Sequence, residues 1–260
     1  MMGFLSDIAR FGRYLPLIIT ALEKIATRLP ERNGLATTAN EDEAEQLNIQ
    51  RMAQFLSTEH FTLQGARSGT ISEANGRSSG FLTAVSGSLV ALGFIAQISG
   101  LGEIFTYFAL ILFPALLFLG ISTYVRLVQL AIADALYTQA INRIRHFYTD
   151  MAPQVADYLS FPHYDDAESL RSAMMISESR WQPFFSSSGQ ISVINSIIAG
   201  VFSAMLVNVL WPLSTLAVIG VGLAGLAIAL VLHTRYSRQQ QDRVRGQLEF
   251  RFPREQAENS

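Results

Sequence analysis

The sequence predicts an all-α membrane protein with four transmembrane helices, arranged as two hairpins with cytoplasmic helical extensions. Half of its 260 residues are apolar and 15% are charged, and the mean hydropathy is +0.27. Soluble domains carry about 25% charged residues. Apolar runs also approach the roughly 20 residues that a helix needs to cross a bilayer. These runs cover residues 81–99, 104–123, 190–210 and 213–232.

Residues 1–32 predict an amphipathic helix, because their apolar side chains recur every three or four positions. Pro16 predicts a kink in this helix, and the charged residues within the run argue against a cleaved signal peptide. The helix is expected to lie on the cytoplasmic membrane face, to pack on a sister subunit or to pack on the chain's own helices. The apolar positions are Phe4, Ile8, Phe11, Leu15, Ile18, Leu22, Ile25 and Leu29.

Residues 33–80 predict a polar linker followed by a cytoplasmic helix that leads to the first crossing. This helix is interrupted by Gly65, Gly69, Gly76 and Gly80. Glycine costs an α-helix about 1 kcal/mol relative to alanine. So many glycines therefore predict bends or close backbone contacts.

Each predicted hairpin carries a stripe of small residues. Small side chains let helix backbones approach closely, and this close packing drives helix association in lipid. We therefore expect a helix-packing or oligomer interface in the hairpin at 81–123 and again in the hairpin at 190–232. The stripes are Gly80, Ala84, Ser88 and Ala91, then Ser192, Ser196, Gly200 and Ala204.

The glycines Gly220, Gly222 and Gly225 match the spacing of a dinucleotide-binding fingerprint. Such a fingerprint requires a preceding strand and a helix N-terminus in water. These glycines lie inside an apolar helix, so we interpret them as a packing face.

Residues 124–189 predict a cytoplasmic helical arm and a connector. Apolar and aromatic residues recur along the arm at spacings of three and four up to Tyr148, and Asp134 interrupts them. A polar residue in such a row often sets register or partner choice. Asp134 is therefore a further candidate interface residue.

The end of the arm carries a basic group formed by Asn142, Arg143, Arg145 and His146. Arginine there can bind an anionic lipid headgroup or a nucleotide phosphate, or it can stabilise the end of the helix. We take Arg143, Arg145 and His146 as lipid or ligand candidates and favour a structural or lipid role.

Acidic residues and a histidine follow in the connector as His163, Asp165, Asp166 and Glu168. Carboxylates and imidazole can bind a cation or exchange protons. Aspartate before a helix more often caps it, and we favour capping of a short helix over residues 166–181.

Other polar residues lie near or within the apolar runs. Glu59, His60 and Arg67 form either a buried network or a solvated group. Amides at membrane depth usually face helix partners or water. These amides are Gln97, Asn195 and Asn208, too few for a wide hydrophilic pore.

The distribution of arginine and lysine predicts the orientation. Eight lie before the first crossing, five in the middle segment and six after His233, and none lies in either hairpin turn. The positive-inside rule therefore places both termini and the middle segment in the cytoplasm, including the basic tail at 233–260.

The composition argues against several kinds of chemistry. There is no cysteine, and the four histidines are far apart. This excludes thiol catalysis and makes a metal site improbable. We expect no enzyme activity, no cofactor, no metal and no nucleic-acid partner.

Three segments carry a resemblance to a known group. They are residues 58–68 (TEHFTLQGARS), 81–94 (FLTAVSGSLVALGF) and 141–148 (INRIRHFY). They resemble uncharacterised bacterial membrane proteins with two hairpins, over about residues 55–235. The resemblance implies a bacterial inner-membrane location and four crossings, and it supplies no activity.

Three functions remain open at this point. The first is a multi-pass membrane protein that forms a homo-oligomer, including a pore or a membrane-perturbing effector. The second is a membrane-anchored scaffold or regulator that binds a cytoplasmic protein partner. A membrane enzyme is the least favoured.

Overall fold

The computed structural model describes residues 39–175, 179, 181–211, 213–246 and 249–254. The predicted amphipathic helix at 1–32 lies outside these residues. The chain divides into two units, residues 1–51 and 52–260, and the first is described only from residue 39.

Every regular element of the described residues is helical. Four of the helices are long and apolar enough to cross a membrane, which agrees with the predicted number of crossings. The elements are α1 Ala39–Ser99, α2 Glu103–Met151, a 3-10 helix Pro153–Tyr158, α3 Ala167–Ala173, α4 Gln182–Phe185, α5 Ser187–Leu210 and α6 Thr215–Arg245.

Helix α1 is continuous through its glycine-rich part. It has 61 residues, and a Cβ atom built at Gly65, Gly69, Gly76 or Gly80 would meet nothing within 4 Å. No contact within the described residues therefore requires glycine at these positions. The close backbone contacts expected at these four glycines are not found within the described residues, and the helix is not interrupted there.

Helix α2 follows α1 after three residues, Gly100, Leu101 and Gly102. Gly100 has φ +63°, in the left-handed region that glycine adopts at low cost. Helix α2 continues for 49 residues, about 73 Å, with Pro114 inside it. A crossing of about 20 residues uses less than half of that length.

The short helix predicted at 166–181 ends earlier than expected. Helix α3 spans only Ala167–Ala173, and Met175 has φ 53°, which an α-helix cannot contain. Another short helix, α4, begins at Gln182. The prediction of Asp166 as the N-cap is correct, because its side chain accepts a hydrogen bond from the Ser169 backbone N–H.

The apolar core lies where α1, α2 and α5 meet. Phe81 of α1 is 1% exposed and packs with apolar side chains of the other two helices. The buried members of this cluster are Phe81, Leu116, Tyr124, Leu127, Val128, Ile191 and Ile198.

Helices α5 and α6 touch backbone to backbone. A Cβ atom on Gly200 would lie 2.7 Å from the Gly222 carbonyl oxygen, and one on Gly225 would lie 2.7 Å from Ser203 Oγ. Gly222 would place its Cβ 3.1 Å from the Ala204 Cβ. This packing requires the small residues, whereas Gly220 has open space around it.

Candidate functional site

The end of α2, the connector and the C-terminal segment meet in one cluster. We call this cluster the clasp, formed by residues 139–146 of α2, residues 161–170 and residues 249–254. It brings together the basic group and the acidic group that the sequence presents as separate candidates.

Asp165 is the centre of the clasp. Its side chain is fully buried, and its carboxylate accepts hydrogen bonds from Arg143 Nε at 2.7 Å and from the backbone N–H groups of Arg251 at 3.0 Å and Phe252 at 2.9 Å. The Asp165 N–H in turn donates to the Phe252 carbonyl at 3.2 Å. Hydrogen bonds to a charged group are the stronger ones. Asp165 therefore anchors the C-terminal segment to α2.

The segment at 249–254 is held mainly through its backbone. The Glu249 carbonyl accepts hydrogen bonds from Gln139 Nε2 at 3.4 Å and from an Nη of Arg143. The Arg254 N–H donates to Asp166 Oδ2 at 3.0 Å. Backbone recognition of this kind places few demands on the side chains of the bound segment.

Asp166 serves both α3 and the C-terminal segment. It accepts the Ser169 N–H at 2.7 Å as well as the Arg254 N–H. Burial raises the pKa of this carboxyl, but these two backbone N–H groups outweigh it, so the pKa lies below its usual value. Asp165 and Asp166 thus use their oxygens for structural hydrogen bonds.

Aromatic rings close the clasp on one side. The His146 ring stacks on Phe252 at a centroid distance of 4.3 Å and faces His163 at 6.0 Å. Burial lowers the pKa of His163, and the nearby His146 and Arg254 add to the shift while Asp150 opposes it. A neutral His163 is therefore part of the folded arrangement.

Arg145 differs from the other members of the basic group. It donates to Asn142 Oδ1 at 3.1 Å and lies over the Phe161 ring at 5.4 Å. No carboxylate among the described residues forms an ion pair with it. The Arg143 guanidinium, by contrast, forms an ion pair with Asp165.

Ion pairs join α1 to α2 between the clasp and the first crossing. Arg67 Nε lies 2.7 Å from Asp134 Oδ1, and Arg126 binds both carboxylate oxygens of Glu73 at 2.9 Å. Hydrogen bonds from Arg126 and then from Arg77 lower the pKa of Glu73 to about 2. Asp134 thus has a partner within its own chain, and its role in choosing a partner copy remains a prediction.

A polar contact that the sequence did not suggest joins α2, α5 and α6. The Tyr124 hydroxyl donates to the His233 carbonyl at 2.5 Å, and Asn195 Nδ2 lies 3.2 Å from His233 Nε2. Gly120 leaves room for the Asn195 amide, since a Cβ there would lie 2.2 Å from Asn195 Oδ1. Only the polarity of Asn195 and His233 within apolar helices pointed to such a contact.

The two predicted small-residue stripes have different surroundings. Ser192 and Ser196 are buried, and Gly200 and Ala204 contact α6, so this stripe packs inside the chain. In the other stripe Gly80 is exposed, and its remaining members are half-buried. Those members are Ala84, Ser88 and Ala91.

Comparison with known proteins finds no match to any family model, curated protein or solved structure. The bacterial origin suggested by the resemblance therefore remains an expectation.

Proposed function

We propose that this chain is a non-catalytic, multi-pass membrane protein that associates with copies of itself through one exposed face of α1. In this proposal α1 and α2 form one membrane hairpin, and α5 and α6 form another. Both termini and the connector lie on the cytoplasmic side, in a bacterial inner membrane. The arginine distribution supports this orientation.

The observation that carries the proposal is an exposed, uncharged α1 face. We call it the α1 small-residue face. Its residues recur at spacings of four and three, which places them on one side of the helix. They are Gly65, Gly69, Ser72, Gly76, Gly80, Thr83 and Gly87, and all are exposed.

Contact with water or lipid alone does not account for so many exposed glycines on one side of α1. Exposed glycine weakens a helix by about 1 kcal/mol per residue unless something compensates. Exposed phenylalanines also lie on the same helix before the predicted crossing, Phe55 at 75% and Phe61 at 70%. In this proposal these exposed aromatic side chains contact a protein partner.

A second copy is a suitable partner for this face. Two copies inserted in the same orientation must run their α1 helices parallel, which sets each small residue opposite its own counterpart. None of the seven residues is charged, so no like charges face each other at the centre of the pairing. The absence of large side chains lets the backbones approach closely, as in membrane helix dimers.

A pore is the less supported form of self-association. Asn195, Ser192 and Ser196 are at most 3% exposed, so they face the chain's own helices. The proposal therefore gives the protein an associating role without conduction. Ion flux through liposomes that contain the purified protein would restore the pore hypothesis.

Single-cysteine crosslinking tests the proposal, because the chain has no cysteine. Ser72→Cys and Thr83→Cys should form disulfide-linked dimers in native membranes on mild oxidation. Ala74→Cys and Ala84→Cys, which pack against the core, are the matched controls and should not. Equal crosslinking at the face and the control positions, or none at either, contradicts the proposal.

A bulky residue should separate the copies. Gly76→Leu should abolish the Ser72→Cys crosslink, whereas Gly220→Leu, at an open position of α6, should leave it unchanged. Asp134→Leu tests the other hypothesis, in which Asp134 and the apolar residues along α2 form the interface with the partner copy. If Asp134→Leu removes the crosslink while Gly76→Leu does not, α2 forms the interface.

The alternative function is a membrane-anchored scaffold for a cytoplasmic protein. Phe55 and Phe61 favour it, since both lie before the predicted crossing and are exposed. Phe61→Ala distinguishes the two functions. If it weakens binding of a purified cytoplasmic partner and leaves the Ser72→Cys crosslink intact, the scaffold function is favoured.

A further inference from the structure

Arg145 is a cation that forms no ion pair with a carboxylate among the described residues. It is half-buried, and its recorded partners are the neutral Asn142 side chain and the Phe161 ring. Burying a charge costs free energy unless another group compensates it. Burial and the nearby Arg67 both lower the pKa of Arg145, so its surroundings add positive charge.

The register of the two long helices brings Arg145 within about one helical turn of the level of His60. The pair Arg67 and Asp134 fixes the level at which α1 and α2 meet. Arg145 lies three turns beyond Asp134 on the same side of α2, and His60 lies two turns before Arg67 on the same side of α1. The Arg145 side chain leans back toward Asn142, which shortens its distance from the His60 level.

Two further groups at this level have unused hydrogen-bonding capacity. Arg67 uses its Nε for Asp134, and its Nη groups make no hydrogen bond within the described residues. The Nδ1 of His60 is buried and has no partner there, while its Nε2 lies 2.8 Å from Gln64 Nε2. Burial lowers the pKa of His60, and the nearby Arg145 lowers it further.

We propose that Arg145, Arg67 and His60 form a binding site between α1 and α2 for a phosphate-bearing anion. Two guanidinium groups provide fork-shaped donors that match phosphate oxygens, and His60 provides a further donor from its ring. Asp134 neutralises one of the two arginines, Arg67. The anion neutralises the other.

The phosphate has two possible sources with the same chemistry, a free phosphate ester and a lipid headgroup. His60 precedes the predicted crossing at residue 81 by 21 residues, about 31 Å along the helix. A headgroup reaches the site only if this part of α1 lies along the membrane surface. The free phosphate ester and the lipid headgroup are therefore tested in separate samples.

The test follows the His60 ring by NMR titration of the full chain, labelled at histidine, in nanodiscs. The chain has four histidines, so His60→Asn assigns the signal. In phosphatidylcholine discs, added pyrophosphate should raise the pKa of His60 by about one unit, as a nearby negative charge does. In the other arm, phosphatidylglycerol replaces part of the phosphatidylcholine and no pyrophosphate is added.

Variants separate binding at this site from a general charge effect. Arg145→Gln should weaken pyrophosphate binding by about tenfold or more, as loss of a charged hydrogen bond does. Arg145→Lys keeps the charge and should lose less. Arg238→Gln removes an exposed arginine of α6 and should change nothing.

A pKa rise with pyrophosphate in phosphatidylcholine supports a free phosphate ligand, and a rise confined to phosphatidylglycerol discs supports a headgroup. The proposal is overturned if the pKa of His60 rises in neither arm. It is equally overturned if Arg145→Gln, folded by circular dichroism, needs no more pyrophosphate than the parent chain to reach half of the same rise.

Discussion

Asp165 links three parts of the chain that are far apart in sequence. Its carboxylate joins Arg143 of α2 to backbone groups that lie 86 and 87 residues further along. A buried carboxylate needs such partners, since it has no water to solvate it. Asp165 therefore makes the most contacts among the side chains that hold the C-terminal segment, which also include Gln139, Arg143 and Asp166.

Asp165→Asn should release this segment. The neutral amide cannot pair with Arg143 as a carboxylate does, and breaking a buried pair costs about 3 kcal/mol. We expect a lower unfolding temperature and faster motion of a spin label at Phe250→Cys. The control is Asp157→Asn at an exposed position of the 3-10 helix. Equal label mobility in both variants contradicts the assignment of Asp165 as the anchor.

The clasp should loosen in mild acid because of His163. Its pKa in the folded protein lies below the usual 6.5, so the unfolded chain binds the proton more readily. The stabilisation is therefore complete above about pH 6.5 and is lost as the pH falls through the folded pKa. Thermal unfolding measured from about pH 7.5 to about pH 5 should show this decline.

His163→Gln is the matched variant for this titration. It keeps a polar side chain and removes the ionisable ring, so the decline between pH 7.5 and 5 should become smaller. A decline of the same size in the variant would assign the pH dependence to another group.

At the scale of elements, α5 and α6 depend on glycine in a way that α1 does not. Gly222→Leu should force these two helices apart, since its Cβ would already lie 3.1 Å from the Ala204 Cβ and 3.3 Å from the Gly200 carbonyl oxygen. Overpacking of this kind costs about 1–3 kcal/mol. Thermal unfolding in nanodiscs should show a lower midpoint.

Gly220→Leu provides the control for this substitution. Gly220 lies on the same helix, and a Cβ there meets nothing within 4 Å. The unfolding midpoint should therefore stay close to that of the parent chain. Equal losses at both positions would mean that α6 tolerates no large side chain for reasons unrelated to α5.

The helices themselves were largely predictable, because apolar runs and capping residues are local properties. The four apolar runs identified the four long helices, and Asp166 was correctly predicted to cap α3. The end of α3 was predicted wrongly at 181, since the left-handed conformation of Met175 has no clear sequence pattern. Sequence spacing alone reveals neither the continuity of α1 through its glycines nor its ion pairs to α2.

The sequence identified individual candidate residues, but it did not predict which of them come into contact. Arg143 and Asp165 were both recognised as candidates, yet their contact arises only when the connector folds back on α2. The partners of Asp165 at 251 and 252 are backbone groups, which any sequence could provide. Long-range backbone recognition of this kind leaves no local pattern.

At the scale of the whole molecule, the proposed membrane orientation gives a direct labelling test. Leu101→Cys and Trp211→Cys, in the two short turns, should react with a membrane-impermeant maleimide added to intact cells. Phe250→Cys should react only after permeabilisation. Labelling of Phe250→Cys in intact cells would reverse the orientation.

The close contact of Gly200 with Gly222 also has a mechanical consequence. Two helices that touch through their backbones cannot slide or rotate against each other without a collision, so α5 and α6 are expected to move as one rigid body. Helix α5 joins α2 through the apolar core, whereas α6 meets α2 at the polar contact of Tyr124 with His233. We therefore expect α5 and α6 to shift together against α2, and such a shift would break the hydrogen bond between Tyr124 and the His233 carbonyl.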